Sequence, residues 1–286
     1  MSELVTSTGE TVPDQPERGI GAERLRAIIA EQSAYRAEKP AILPRFARSV
    51  TRPAGWLASR LIPVEAIELV LTGANMAANL TLRRALVDHD FSDLAACDEA
   101  ADVARRWAIG YGMTSGGAAG AAGGIGLVVD VPTSITLAMR TARAVGLAYG
   151  FGESGEAERA FVLNVLSLAG ANDREQKERA LRFVDRINSP EAIQDGDYKA
   201  IAQMGGPGTA SVAAIRKVAE QLGVNLGQRK AGQLVPLFGA VIGATVNAAF
   251  LSDVALAAKY AYRERWLSTR GYAETAESDG LEGSTV

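Results

Sequence analysis

From Trp107 to Met139 the chain carries one charged residue, Asp130, and eight of the first twenty residues of that run are glycine. A helix so rich in glycine is poor on propensity alone, because each glycine costs about 1 kcal/mol relative to alanine. Close approach of two backbones offsets that loss, and it requires small residues on one face. Gly112, Gly116, Gly120 and Gly124 recur at intervals of four, which sets them on one drifting helical stripe. The run therefore predicts a tightly apposed helix that ends near Asp130. A second helix then starts there, with Asp130 as its cap and Pro132 at its first position.

A related run lies near the C-terminus, where 22 uncharged residues separate Lys230 from Asp253. Gly239 and Gly243 stand in it as Gly120 and Gly124 stand in the first. In each copy an apolar small-residue segment leads to an aspartate and then to a basic amphipathic stretch. The first such stretch contains Arg140 and Arg143, and the second contains Lys259, Arg263 and Arg265. Two helical copies facing each other would bring Asp130 and Asp253 together with Asn247, Arg140, Arg143 or Lys259. The expected product is a buried polar centre, either structural or serving as a binding or acid/base site.

The residues between the two runs also read as helices. Sustained alternation of β-branched and polar residues is absent, and 48% of the chain is hydrophobic but only 6% aromatic. An all-α, closely packed multi-helix bundle with a weak internal duplication is the expected fold. Residues 21–268 would form one helical domain, with a polar tail over 1–20, an acidic tail over 271–286 and an internal linker near 189–208. Leu25, Ile28, Ile29, Gln32 and Tyr35 mark a first amphipathic helix with its charges on the opposite side. Ile67 and Leu71 mark the buried face of another, starting at Pro63, and Asp93 to Ile109 a third. Helices over 155–168, 173–188 and 210–222 follow from the same spacing.

Function classes narrow by exclusion. A net charge of -3 removes a general nucleic-acid role. The lone Cys97 supports no intrachain disulfide and points to a reducing compartment. The first twenty residues lack the apolar core of a secretory signal, so a cytoplasmic protein is expected. Neither a G-x-S-x-G nor a P-loop sequence is present, and Gly124-Ile-Gly126 lacks the third glycine of a dinucleotide fingerprint. His89, the single histidine, sits among Asp88, Asp90 and Asp93, but no matching ligand pair accompanies it. Ser92 or Asp90 is better explained as a helix cap. No metal or cofactor is expected.

The environment is more legible than the chemistry. Lys39, Arg45, Arg48, Arg52 and Arg60 precede any acidic residue up to Glu65, with Phe46, Trp56 and Leu57 interleaved. An anionic membrane surface attracts such a segment at about 1 kcal/mol per cation. A run of 22 helical residues would reach about 33 Å, nominally a bilayer span, but its content is largely glycine, alanine and threonine. Extending either run adds an aspartate at about 3 kcal/mol. Peripheral association with a membrane surface or membrane protein complex is the expectation. A hydrolase using Asp130 and Asp253 with His89, and a helical scaffold enclosing a lipid in its thin seam, are the alternatives.

Several of these residues carry a family likeness. Gly123-Gly124-Ile125-Gly126 with Asp130-Val131-Pro132, the run Glu158 to Leu163, and Val235-Pro236-Leu237-Phe238-Gly239-Ala240-Val241-Ile242-Gly243-Ala244 with Asn247 and Asp253 resemble the EcsC protein family over about Arg60 to Leu267. The family is named for a bacterial operon that also encodes an ABC transporter. The resemblance therefore implies a helical accessory protein associated with a transporter or the cell envelope. It transfers no catalytic residues.

Overall fold

A computed structural model describes residues 20–39, 67–68, 71, 86–121, 123–152, 156–189, 212–230 and 239–272. The expected cationic segment at Arg45, Arg48, Arg52, Trp56 and Arg60 lies outside the described residues, as do the two tails and most of the 189–208 linker. Among the described residues the chain is all-helical, with seven helices: α1 (Ala22–Ala37), α2 (Leu94–Ala121), α3 (Gly123–Ala148), α4 (Glu156–Ala169), α5 (Arg174–Ile187), α6 (Val212–Lys230) and α7 (Gly239–Thr269).

The 31-residue α7 is the axis of the bundle, packed most extensively against α2 and also against α3 and α4. Contacts fix its direction. Asp98 pairs with Arg263, Asp102 with Lys259, Gly112 lies against Ala248 and Gly116 against Gly243. Each step forward on α2 is a step back on α7, so the two are antiparallel along their whole shared length.

Two expected helix boundaries are corrected here. The first glycine helix ends at Ala121, and Asp130 stands eight positions into α3, in mid-helix, with Pro132 also in its interior. Asp253 likewise lies within the uninterrupted α7. Neither aspartate caps a helix, because each stands inside one, where the backbone N–H groups ahead of it are not at a helix start. The stripe from Gly112 to Gly124 is divided accordingly: Gly112, Gly116 and Gly120 are on α2, and Gly124 is on α3. The two uncharged runs therefore differ in form, the first a helical hairpin and the second, from Gly239 onward, a single helix.

Helix ends follow local chemistry. Asp93, not Ser92 or Asp90, caps α2 by accepting from the Ala95 N–H at 2.8 Å, while Asp90 accepts from the Ser92 N–H and hydroxyl. Asp173 caps α5 by accepting from the Gln176 N–H at 2.8 Å. At the end of α3, Gly150 takes φ +83°, and the Phe151 N–H returns to the Gly146 carbonyl at 2.9 Å. Ile67 and Leu71 are fully buried, as their spacing predicts.

Helix α1 is fastened differently. Ile28 is its one buried residue, with Leu25 and Tyr35 packed at the margin. Two of its charged residues reach the bundle: Arg36 pairs with Asp185 and Glu264, and Glu31 with Arg263. Gln32 donates to the Tyr260 carbonyl at 3.1 Å, Lys177 donates to the carbonyls of Tyr35 and Glu38, and the Tyr35 ring stacks on Tyr260 at 4.7 Å. Burial lowers the Lys177 pKa and raises that of Glu264. The Arg36–Asp185 pair is 38% exposed on both sides, so salt screens it. Raising NaCl from low concentration to about 1 M is expected to speed amide exchange in residues 22–37 about fivefold, equivalent to ~1 kcal/mol, while α2 and α7 stay protected. Salt-independent exchange in α1 would show that its apolar contacts dominate.

Candidate functional site

The bundle has two chemically distinct halves. In one, the second half of α7 meets its partners through ions: Lys259 with Asp102 at 3.0 Å, Arg263 with Asp98 at 2.9 Å, and Arg265 with Glu158 at 2.8 Å. In the other, α2 from Trp107 onward and α7 as far as Ser252 carry no charged side chain. The boundary is marked by Arg105, whose Nε donates to the Ser252 hydroxyl at 3.0 Å.

Within the uncharged half the helices nearly touch. A Cβ added at Gly112 would lie 2.8 Å from the Asn247 carbonyl oxygen and 2.8 Å from the Ala248 nitrogen. One added at Gly116 would overlap the Gly243 carbonyl. Glycine is thus required by main chain on the opposite helix, which no rotamer change can relieve. The same closeness leaves no room for a lipid in the seam at these positions.

The one charge of this half is buried beside the seam. Asp130 is 1% exposed, and its Oδ1 accepts from Asn247 Nδ2 at 2.8 Å. Ser134 donates to the Asp130 carbonyl at 2.7 Å, and its hydroxyl oxygen stands 3.1 Å from Asn247 Oδ1. Asn247 Nδ2 further reaches the Ser115 hydroxyl at 3.4 Å. Side chains from α2, α3 and α7 thus share one small network. Such an arrangement fixes the rotation and register of three helices, since a buried polar group left unmade costs about 1–3 kcal/mol.

The expected polar centre is accordingly assembled in part. Asn247 joins Asp130, as the sequence suggested, but Asp253 does not. Asp253 stands six positions beyond Asn247 on α7, about 9 Å along the axis and on a different side of the helix. Asp253 instead lines a cavity with Tyr35, Glu38 and Lys177. Arg140 lies over the Tyr111 ring at 5.7 Å, and Lys259 is held by Asp102. Arg143 acts electrostatically on Tyr262, in the Glu158–Arg265 cluster. His89 donates to the Ala148 carbonyl at 2.8 Å, at the end of α3, where it satisfies a helix terminus. Asp130, Asp253 and His89 therefore serve three separate places.

Outward, the uncharged half presents apolar side chains to solvent: Tyr111 is 42%, Met113 55% and Val241 69% exposed. Among the described residues, no helix is long and apolar enough to cross a membrane.

Sequence comparison adds context. The profile of the EcsC protein family matches residues 37–267. The chain belongs to the EcsC protein family. A relative in Bacillus subtilis (strain 168), whose name is given as uncharacterized protein YdbA, is 27% identical over 155 residues. That match covers 54% of this chain and 52% of the relative, so the EcsC protein described here spans about half of YdbA's length. No solved structure matches. Nearly all of α1 precedes the matched region, whereas both halves of the α2–α7 seam fall inside it.

Sequence reasoning missed Ser115 and Ser134, as well as the ionic set Asp98, Asp102, Glu158, Tyr262 and Arg263. One signal was available for part of it: Asp98 and Asp102 are four apart, and so are Lys259 and Arg263, matching carboxylates to cations across antiparallel helices.

Proposed function

We propose that this EcsC protein is a non-enzymatic accessory protein that acts by docking on a membrane, or on a membrane protein complex such as an ABC transporter. The observation that carries this reading is the segregation of charge along α2 and α7. Among the described residues, a stretch of α2 and α7 with no charged side chain, with Tyr111, Met113 and Val241 exposed and the Asp130 carboxylate of α3 buried beside it, is suited to a low-dielectric neighbour. The ion-paired half is suited to water. The closed seam and the separation of Asp130, Asp253 and His89 leave binding better supported than hydrolysis or ligand enclosure.

Fractionation of cells tests it directly. The protein is expected in the membrane pellet after a low-salt wash and in the supernatant after a carbonate wash. Recovery wholly in the first supernatant would remove the docking role, and retention through carbonate would replace peripheral docking with integral insertion.

A further inference from the structure

The shape and chemistry of the uncharged end specify its surroundings more narrowly. From Trp107 to Ala121 α2 extends about 22 Å, and from Gly239 to Ser252 α7 extends about 21 Å. The hydrocarbon of one leaflet is about 15 Å deep, with roughly 5–7 Å of headgroup region outside it. The end is therefore as long as one leaflet and too short to span two.

Several of its polar groups are already satisfied without water. Thr114 on α2 and Thr245 on α7, both exposed, donate to the carbonyls of Gly110 at 3.0 Å and Val241 at 2.8 Å, each four residues earlier on its own helix. Asp130, Ser134 and Asn247 bond to one another in the interior. The remaining exposed surface at Tyr111, Met113, Ala118, Val241 and Ala249 offers apolar or aromatic groups.

Where charge resumes, it is cationic on α2 and α3. Arg105 and Arg106 precede the uncharged part of α2, with Arg106 exposed, and Arg140 lies over Tyr111, five residues (about 7 Å) farther toward the end. Asp102, one turn farther, is paired with Lys259, and Asp253 faces the Tyr35–Lys177 cavity on another side. Arg106 and Arg140 at the border of an apolar end complement the phosphates of an anionic lipid surface.

We infer that this end of the bundle inserts into one leaflet of an anionic lipid bilayer, with Arg106 and Arg140 at the level of the headgroups. The inference rests on the docking reading above and names lipid itself, not a membrane protein, as what the end meets.

The experiment uses the full chain and synthetic vesicles of phosphatidylcholine with or without phosphatidylglycerol. Binding to the anionic vesicles is expected, weakened about fivefold by Arg106→Gln. The double variant Met113→Glu, Val241→Glu should weaken it at least about 100-fold, while its thermal unfolding is unchanged because both side chains are exposed. A fluorophore on Met113→Cys reports depth independently of affinity. Cys97 is buried with its pKa pushed up to about 11, so the new thiol takes the label. Blue-shifted emission protected from aqueous iodide in the bound state is the expected result. Bound protein with the label still in water would overturn the inference and leave docking intact. So would membrane retention in cells without vesicle binding, which would assign the end to a membrane protein, or a stable dimer abolished by the double variant with no vesicle binding. Absence from both vesicles and cell membranes would overturn the docking reading as well.

Discussion

Replacing Gly116 by alanine is expected to destabilise the protein by about 3 kcal/mol, toward the upper end for inserting one methyl group into a packed interior. The reason is the identity of what the methyl would meet. It is the carbonyl of Gly243, main chain on the opposing helix, with the Asn247 side chain beside it. Relief requires moving α7 away from α2, and that movement also lengthens the Asn247 hydrogen bonds to Asp130 and Ser115. Gly110→Ala, two turns earlier on the same helix, supplies the contrast: nothing lies within 4 Å of its added Cβ. There alanine should stabilise by about 0.5 kcal/mol, through helix propensity and a less disordered unfolded chain. Urea unfolding of the two variants beside the parent protein measures both effects. Equal shifts, or a Gly116→Ala loss below about 1 kcal/mol, would show that α2 and α7 can separate at the seam at little cost.

The seam was legible because its cause is local: a four-residue glycine interval in an uncharged run can be read along one helix. The polar junction inside it was legible only by half. Asn247 and Asp130 are 117 residues apart, and Asp130 followed closely by Pro132 reads as a helix start by every local rule. What keeps α3 continuous through that point is tertiary. The Asp130 carboxylate finds its donor on α7, and the Ser134 hydroxyl bonds the Asp130 carbonyl, so the backbone has no reason to turn. Asp253 was misplaced for a similar reason: its position relative to Asn247 depends on α7 running unbroken, which the change from uncharged to charged sequence conceals. Helix α1 reads as an ordinary amphipathic helix, yet two of its charged residues, Glu31 and Arg36, are attachments, because Arg263 and Asp185 wait opposite them. Periodicity finds the face that is apolar. It cannot find a face whose partners are ions.

The largest loss is expected at Glu158. Its carboxylate accepts from the Tyr262 hydroxyl and from Arg265 Nη1, the latter at 2.8 Å, and both glutamate and arginine are under 10% exposed. Burial first, and Glu158 second, hold the Tyr262 pKa well above its ordinary value, so the hydroxyl remains a donor across the usual pH range. Arg265 also lies against the rings of Phe151 and Phe161 at 4.5 and 5.4 Å, with Arg143 close enough to act on Tyr262. Two buried guanidinium groups thus share the field of this carboxylate. Glu158→Ala removes it and leaves the cations in a low-dielectric interior, a change that costs about 3–5 kcal/mol for a buried ion pair broken from one side. Glu158→Gln keeps an acceptor for Tyr262 and should cost less, about 2 kcal/mol. Adding Arg265→Met to Glu158→Ala should recover part of the loss, because the stranded charge is then gone and the methionine still packs on both phenylalanines. A double-mutant cycle by urea unfolding at neutral pH measures that coupling. If the double variant were no more stable than Glu158→Ala, the charge of Arg265 would not be what Glu158 compensates, and the cluster would owe its stability to packing alone.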